Sequence, residues 1–261
     1  SSGKAYIFNV TTGALVHTLD NPNAYGTSQT DYFGEAVAIS GNSAIVGARG
    51  EGDAGGVFSG KAYIVNVTTG ALVHTLDNPN AYSDTVTYES FGFSVAISGN
   101  YAIVGAFNED EAGFFGGASG KAYIFNVTSG ALVHTLNNPN AYSTSQGDIF
   151  GYSVAISGNS AIVGAYGEDD AGGTFSGKAY IYDVTTGALL HTLDNPTAYG
   201  TSASDQFGYS VAISGNSAIV GAYGEDDAGG TQSGKAYIYK VANNTTETNS
   251  INVFGNIHTP G

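Results

Sequence analysis

The chain has 261 residues, and its 22 acidic and 7 basic side chains give a formal net charge of −15. Phosphate backbones and anionic lipid surfaces repel such a charge, which argues against nucleic-acid binding, and no apolar run is long enough for membrane insertion. The absence of Cys excludes disulfides and thiolate chemistry, and the 39 Gly residues, with many β-branched and aromatic residues, favour short strands and turns over helices.

A near-identical repeat of about 57 residues accounts for most of the chain. The sequence Ser-Gly-Lys-Ala-Tyr-Ile recurs with its glycine at positions 3, 60, 120, 177 and 234. The chain starts at the third strand of a unit, runs through three complete units from Phe33, Phe91 and Phe150, and enters a fourth unit at Phe207.

The unit that begins at Phe150 illustrates the four strands that we predict for each repeat. Gly158-Asn159 is a tight hairpin signal, because both residues tolerate positive φ. Pro196 ends the unit, because proline cannot continue a central ladder. The predicted strands cover residues 153–157, 160–165, 178–184 and 188–193.

This pattern predicts an all-β fold, a β-propeller of four-stranded antiparallel blades, with four to five blades in this chain. A solenoid coil needs only about 20–30 residues per turn, so the repeat is too long for one. We expect residues 1–241 to form the propeller repeats and residues 242–261 to be a divergent tail or closing strand. Three arrangements remain open: the N-terminal strands complete the last blade and close a ring, the chain is a piece of a longer array whose ring has more blades, or the segment Ile251–Phe254 supplies an alternative fourth strand.

Each unit contains Phe-Gly-x-Ser-Val-Ala-Ile-Ser-Gly-Asn-x-Ala-Ile-Val-Gly-Ala, then an acidic Gly-rich loop, then Ser-Gly-Lys-Ala-Tyr-Ile. This order resembles the FG-GAP repeat of integrin-α-type β-propellers, above all the bacterial and marine versions in long surface proteins. The resemblance covers residues 1–241, and the first unit departs from it at Glu35-Ala36. It implies a propeller, usually of seven blades, with an extracellular role in adhesion or recognition. It also implies calcium in loops of the form Asp-x-Asp-x-Asp-Gly, whereas these loops lack the alternate Asp spacing.

The acidic loops are the best candidate for metal chemistry. Calcium takes six to eight oxygen ligands, and a Gly-rich acidic loop can bend to supply several. Calcium loops and solvated loops whose carboxylates cap turns are both open interpretations. The candidate calcium ligands are Glu51, Asp53, Asp110, Glu111, Asp169, Asp170, Asp226 and Asp227.

Two further sets of residues recur or break the repeat. The histidines at positions 17, 74, 134 and 191 occupy one repeat position, so they lie on different blades, too far apart to share a zinc ion, and we expect a structural role. The inserted pair Phe114-Phe115 is the candidate contact surface, because an exposed aromatic pair in a loop favours a partner.

The repeat argues against an enzyme, because near-identical units place the same group at distant, symmetric positions. We predict a non-catalytic extracellular, cell-surface or virion-surface protein for adhesion or recognition, with calcium as its only expected cofactor. Its expected partners are a protein or glycan surface, or copies of itself. The alternatives are a structural subunit of a filament, sheath or virion appendage, assembled through blade or edge-strand contacts, and, more remotely, a polysaccharide-acting enzyme with an axial site.

Overall fold

The computed structural model describes residues 3–22, 30–52, 59–80, 89–109, 118–139, 147–170, 173–196, 202–226, 230–241 and 251–256. These residues form strands, turns and loops, and none of them belongs to a helix that could cross a membrane. The all-β prediction is therefore confirmed.

The strands form one two-stranded sheet and four four-stranded antiparallel sheets. We call the first sheet the half-blade; it consists of β1 (Lys4–Phe8) and β2 (Leu15–Asp20). Blade 1 consists of β3 (Val37–Ser40), β4 (Ser43–Ala48), β5 (Lys61–Asn66) and β6 (Leu72–Asp77). Blade 2 consists of β7 (Ser94–Ser98), β8 (Tyr101–Ala106), β9 (Lys121–Asn126) and β10 (Leu132–Asn137). Blade 3 consists of β11 (Phe150–Ser157), β12 (Ser160–Ala165), β13 (Lys178–Asp183) and β14 (Leu189–Leu193). Blade 4 consists of β15 (Phe207–Ser214), β16 (Ser217–Ala222), β17 (Lys235–Val241) and β18 (Ile251–Asn256).

The strand order in every blade follows the chain, as predicted for a propeller blade. The predicted strands of blade 3 agree with the structure to within one residue, except that β11 begins at Phe150, three residues earlier. At the C-terminal end, β18 pairs with β17 as the fourth strand of blade 4. The half-blade remains a separate sheet, so the N-terminal strands do not complete blade 4 in this structure.

Local sequence explains the turns within a blade. The Gly-Asn pair between strands one and two provides the positive φ of a tight hairpin, as at Gly158 (φ 56°). Between strands three and four, an Asn or Asp side chain accepts two backbone N–H bonds and closes an Asx turn. In blade 2, Asn126 accepts from the amides of Thr128 (3.0 Å) and Ser129 (2.9 Å).

The hydrophobic cores lie between blades, not within them. Each core joins the Ala and Ile side chains on one face of a blade to the Phe, Ile, Val and Tyr side chains of the next. Phe91, Phe150 and Phe207 are fully buried in these cores, which explains the Phe of the Phe-Gly signature. Strands two and three are buried on both faces, which explains why their sequences are continuously apolar.

The first strands of successive blades pack side by side around the common axis. The second strand of one blade approaches the first strand of the next so closely that a Cβ atom on Gly105 of β8 would lie 2.0 Å from the carbonyl oxygen of Gly151 on β11. Gly151 itself has a φ of 88°, which disfavours other residues. The glycines of Phe-Gly and Val-Gly-Ala are therefore required by contact between blades.

Candidate functional site

A buried Glu–Tyr pair begins each acidic loop. In each blade the glutamate is fully buried, and a tyrosine hydroxyl from strand three donates a hydrogen bond to its carboxylate at 2.5–2.7 Å. In blades 1 to 3, burial is the main cause that raises the pKa of both the glutamate and the tyrosine. The pairs are Glu51–Tyr63, Glu109–Tyr123, Glu168–Tyr180 and Glu225–Tyr237.

The asparagine of each Asn-Pro step joins this pair to a second carboxylate from the loop before Phe-Gly. Asn138, which follows blade 2, donates to Asp148 (2.7 Å) and to Glu168 (3.1 Å) of blade 3. Asn195 makes the same two bonds to Asp205 (2.8 Å) and Glu225 (3.0 Å). Both carboxylates are almost inaccessible to solvent, so these clusters lie in the interior, where they connect successive blades.

Sequence reasoning missed this second carboxylate and the role of the asparagine. The signal was present, because an acidic residue stands two positions before every Phe-Gly, at Asp31, Glu89, Asp148 and Asp205. Burial raises the pKa of Asp205 to about 6 and that of Glu168 to about 7. The recurring lysines complete some clusters: Lys121 donates to Glu109 at 2.9 Å, whereas Lys178 lies 3.9 Å from Glu168 and pairs with Asp194.

The recurring histidines connect neighbouring blades. Nε2 of His17 donates to the carbonyl oxygen of Thr68 (3.0 Å), and His74 donates to Thr128 (3.0 Å) in the same way. His134 makes the equivalent bond to Thr185 at 3.2 Å. These bonds agree with the expected structural role, and each histidine bonds to a different turn.

A continuous row of aromatic side chains crosses blades 2, 3 and 4. Each blade supplies one ring from the start of strand one and one from the residue directly after strand two, so the rings lie at the same end of the innermost hairpins. Neighbouring ring centroids are 4.6–5.5 Å apart, both within a blade and between blades. This aromatic row consists of Phe93, Phe107, Tyr152, Tyr166, Tyr209 and Tyr223.

The aromatic row ends differently on its two sides. In blade 1 the equivalent positions hold Glu35 and Arg49, which form an ion pair at 2.5 Å. The Arg49 guanidinium also lies over the ring of Phe93, 5.6 Å from its centroid. At the other end Tyr223 stacks on Tyr209 and is 63% exposed. The row therefore presents an accessible tyrosine at one end and a cation at the other.

Four segments of the chain match the family model described as FG-GAP repeat: residues 23–65, 81–125, 141–182 and 197–239, together more than half of its length. The chain belongs to the FG-GAP repeat family. No curated protein matches it.

The FG-GAP chain is also similar to a solved propeller. The crystal structure of the Cps50 (Swd1) β-propeller domain from Myceliophteria thermophila aligns with a TM-score of 0.57 at 10% sequence identity. The match covers 99% of this chain but only 66% of the other, and at this identity it concerns the fold alone. Together with the family match it establishes an FG-GAP β-propeller.

The described parts of the FG-GAP acidic loops use their carboxylates to close the loops. Asp169 accepts from the amide of Phe175 (2.8 Å), and Asp170 accepts from that of Gly173 (3.0 Å). Asp226 accepts from the amide of Gln232 (2.6 Å).

The buried glutamate does not fit as a calcium ligand. The oxygens of Glu51 accept bonds from Tyr63 and Asn21, and the side chain is inaccessible to solvent. Among the residues that the structure describes, no group of three or more His, Asp or Glu side chains could hold a metal ion. The remaining calcium candidates lie outside the described residues: Asp53, Asp110, Glu111 and Asp227. The candidate contact pair, Phe114 and Phe115, also lies outside them. Calcium binding therefore stays a prediction.

Proposed function

We propose that this chain is a non-catalytic recognition module of an extracellular or particle surface, and that the aromatic row binds an uncharged glycan chain. The observation that carries the proposal is the row itself. Its six rings lie in adjacent blades at one end of the hairpins that surround the axis, and one ring is largely exposed. The surface location is supported by family membership, because FG-GAP repeats typically occur in extracellular or surface proteins.

The chemistry of the row favours a sugar. Aromatic faces stack on apolar ligand surfaces, and tyrosine adds a hydroxyl that hydrogen-bonds at the edge of the contact. Four tyrosines follow one another towards the exposed end, and the hydroxyl groups of Tyr152 and Tyr209 lie 3.2 Å apart. The net charge of −15 disfavours acidic polysaccharides, so the expected ligand is neutral.

The buried clusters support a non-catalytic role. A general acid or base must reach the substrate within hydrogen-bond distance. The carboxylates whose pKa values burial raises, such as Glu168 and Asp205, are almost fully shielded from solvent. They lie in hydrogen-bonded contacts between blades, which agrees with a repeat family that is typically non-catalytic.

A glycan array probed with the purified chain tests the proposal, followed by titration of the best neutral oligosaccharide. Replacing Tyr223 by Ala is expected to weaken binding about tenfold or more, because a stacking contact of that size is worth about 1.4 kcal/mol. Tyr6→Ala is the matched control, since Tyr6 is similarly exposed (53%) but lies on β1. If Tyr223→Ala left binding unchanged, or if the chain bound no neutral glycan on the array, the row would serve only the packing of blades.

A further inference from the structure

Sequence differences among the units are concentrated at one end of the innermost hairpins. At the turn end, strands one and two are joined by Ser-Gly-Asn-Ser in blades 1, 3 and 4, and blade 2 differs from them at Tyr101. At the other end, where the aromatic row lies, the residue directly before Phe-Gly differs in every blade. We call this the variable position; it is occupied by Tyr32, Ser90, Ile149 and Gln206.

The backbone at the variable position would favour glycine. All four residues are left-handed, with φ of 55–59°, a conformation that is unusual for a bulky or β-branched residue such as Tyr32 or Ile149. Two residues further on, where φ is 88–90°, every blade has the glycine of Phe-Gly. Glycine would adopt the conformation of the variable position without strain, yet no blade has it there. The side chains at this position therefore indicate a role beyond forming the turn.

The variable position adjoins the aromatic row through the backbone. Its carbonyl oxygen accepts a hydrogen bond from the amide of the residue three positions later, which in blades 2 to 4 carries the first ring of that blade. Ser90 accepts from Phe93 at 3.1 Å, and Ile149 accepts from Tyr152 at 3.3 Å. The same bond in blade 1 joins Tyr32 to the amide of Glu35 at 3.1 Å.

In blades 1 and 3 the variable side chain also lies beside the second row position, the residue after strand two. The Arg49 guanidinium, which stands at that position in blade 1, is 4.6 Å from the centroid of the Tyr32 ring. In blade 3, a Cβ atom on Gly167 would lie 3.0 Å from Cδ1 of Ile149, and Gly167 directly follows Tyr166 of the row. A ligand on the row would therefore lie next to these side chains.

The four variable side chains differ in chemistry and in access to solvent. The Tyr32 ring is 39% exposed, the aliphatic Ile149 and the amide of Gln206 are half-buried, and the small Ser90 is 5% exposed. A site that offers an amide rejects a ligand that leaves the amide unpaired, whereas an aliphatic side chain accepts an apolar surface. Identical subsites would suit a polymer of one sugar, so four different side chains favour a ligand whose successive units differ.

We propose that the variable position determines the specificity of the glycan site, and that its ligand is a neutral glycan with more than one kind of sugar. This inference rests on the proposed function, because it concerns the ligand of the same aromatic row. The rings provide a stacking surface that blades 2 to 4 share, and the variable side chains distinguish the sugar units that lie on each blade.

Exchanging two variable residues tests this proposal. The double variant Ile149→Gln, Gln206→Ile keeps the composition, and the two positions have nearly the same φ (58° and 55°), so its melting temperature should equal that of the wild type. On a glycan array, a different neutral glycan is expected to bind best. The preferred glycan of the wild type should bind at least about tenfold more weakly in titration, because a hydrogen-bonding group and an apolar group have changed places.

Two single variants complete the experiment. Gln206→Gly suits the left-handed backbone and removes the amide, so it should fold and lose selectivity even if the double variant is unstable. Tyr101→Ser is the matched control, because it introduces the residue of the other blades at the opposite end of a hairpin. It is expected to leave the order of the glycans unchanged.

The outcomes separate this inference from the proposed function. A preference for mixed neutral glycans that the double variant and Gln206→Gly change, and Tyr101→Ser does not, supports the inference. Glycan binding whose order neither variant changes, or a preferred ligand made of one sugar, overturns the inference and leaves the proposed function in place. A chain that binds no neutral glycan overturns both.

Discussion

Replacing Glu168 by Gln removes a buried charge while keeping the shape of the side chain. Oε2 of Glu168 accepts from Tyr180 at 2.5 Å and from Asn138 at 3.1 Å. Oε1 is buried without a hydrogen-bond partner in the described structure, and the Lys178 ammonium lies 3.9 Å away. Burial raises the pKa of this carboxyl from 4.5 to about 7, so the folded protein favours its neutral form.

The magnitude follows from the two pKa values. Each pKa unit corresponds to about 1.4 kcal/mol, so ionised Glu168 costs the folded state up to roughly 3 kcal/mol above pH 7. Between pH 4.5 and 7 the folded state binds more protons at this site than the unfolded state. Stability from this group therefore increases as the pH falls through that window and is lost as the pH rises through 7. In Glu168→Gln this dependence disappears, and at pH 8 the variant is expected to melt roughly 6–10 °C above the wild type.

Thermal and urea unfolding followed by circular dichroism from pH 5 to pH 8 measure this effect. The control is Glu109→Gln, because Oε1 of Glu109 accepts from Lys121 at 2.9 Å. Burial also raises the pKa of Glu109, but replacing Glu109 takes away the partner of a buried lysine, which offsets the gain. The stabilisation at pH 8 is therefore expected to be clearly smaller in Glu109→Gln than in Glu168→Gln. If Glu168→Gln kept the pH dependence of the wild type, or lowered stability at pH 8, the buried charge would not be the cause.

Three further measurements test the contacts between blades and the metal prediction. Gly105→Ala is expected to destabilise the chain by about 3 kcal/mol in urea unfolding, because its Cβ would lie 2.0 Å from a carbonyl oxygen of the next blade, whereas Gly221→Ala meets only a serine side chain and should cost far less. His74→Ala should lower the free energy of unfolding by about 1 kcal/mol, because it removes a hydrogen bond to the next blade. His191→Ala should lower it less, because Nε2 of His191 has no hydrogen-bond partner in the described structure. Equal losses of stability would contradict a role of the histidine hydrogen bond in joining blades. If the acidic loops bind calcium, a chelator should lower the melting temperature and added calcium should restore it; an unchanged melting temperature would refute calcium binding.

The fold could be predicted because the repeat presents each local signal several times. The Gly-Asn pair marks the turn between strands one and two, and the Pro marks the end of strand four. The continuous apolar runs of strands two and three indicate burial on both faces. The strand-one boundary was less accurate, because a bulge between Phe150 and Ser153 continues the ladder through Gly151 and Tyr152. A bulge of this kind leaves no alternation in the sequence from which to predict it.

The site was harder to predict because its residues are distant in sequence. Asn138 joins Asp148 and Glu168 only after blades 2 and 3 pack, so neither the pairing nor the raised pKa values can be inferred from a single unit. The acidic loop suggested a metal site because its acids stand in a Gly-rich segment that can bend to supply several oxygen ligands. In the structure the first of them turns into the protein and bonds to a tyrosine from strand three, since a buried carboxylate requires donors that the loop itself does not supply.

Blade 1 shows why the aromatic row is a property of neighbouring blades. Both of its positions differ from those of the other blades, with Glu35 and Arg49 in place of an aromatic pair. The two side chains contact each other, and Arg49 also contacts Phe93 of the next blade. Glu35 alone would place a carboxylate against an aromatic neighbour, and Arg49 alone would leave a cation without its counter-charge. The joint replacement keeps the contact between blades while it ends the surface on which a ring of a ligand could stack. The two ends of the row therefore differ, with a charged pair at one end and an exposed tyrosine at the other. Identical repeats alone would not produce this difference.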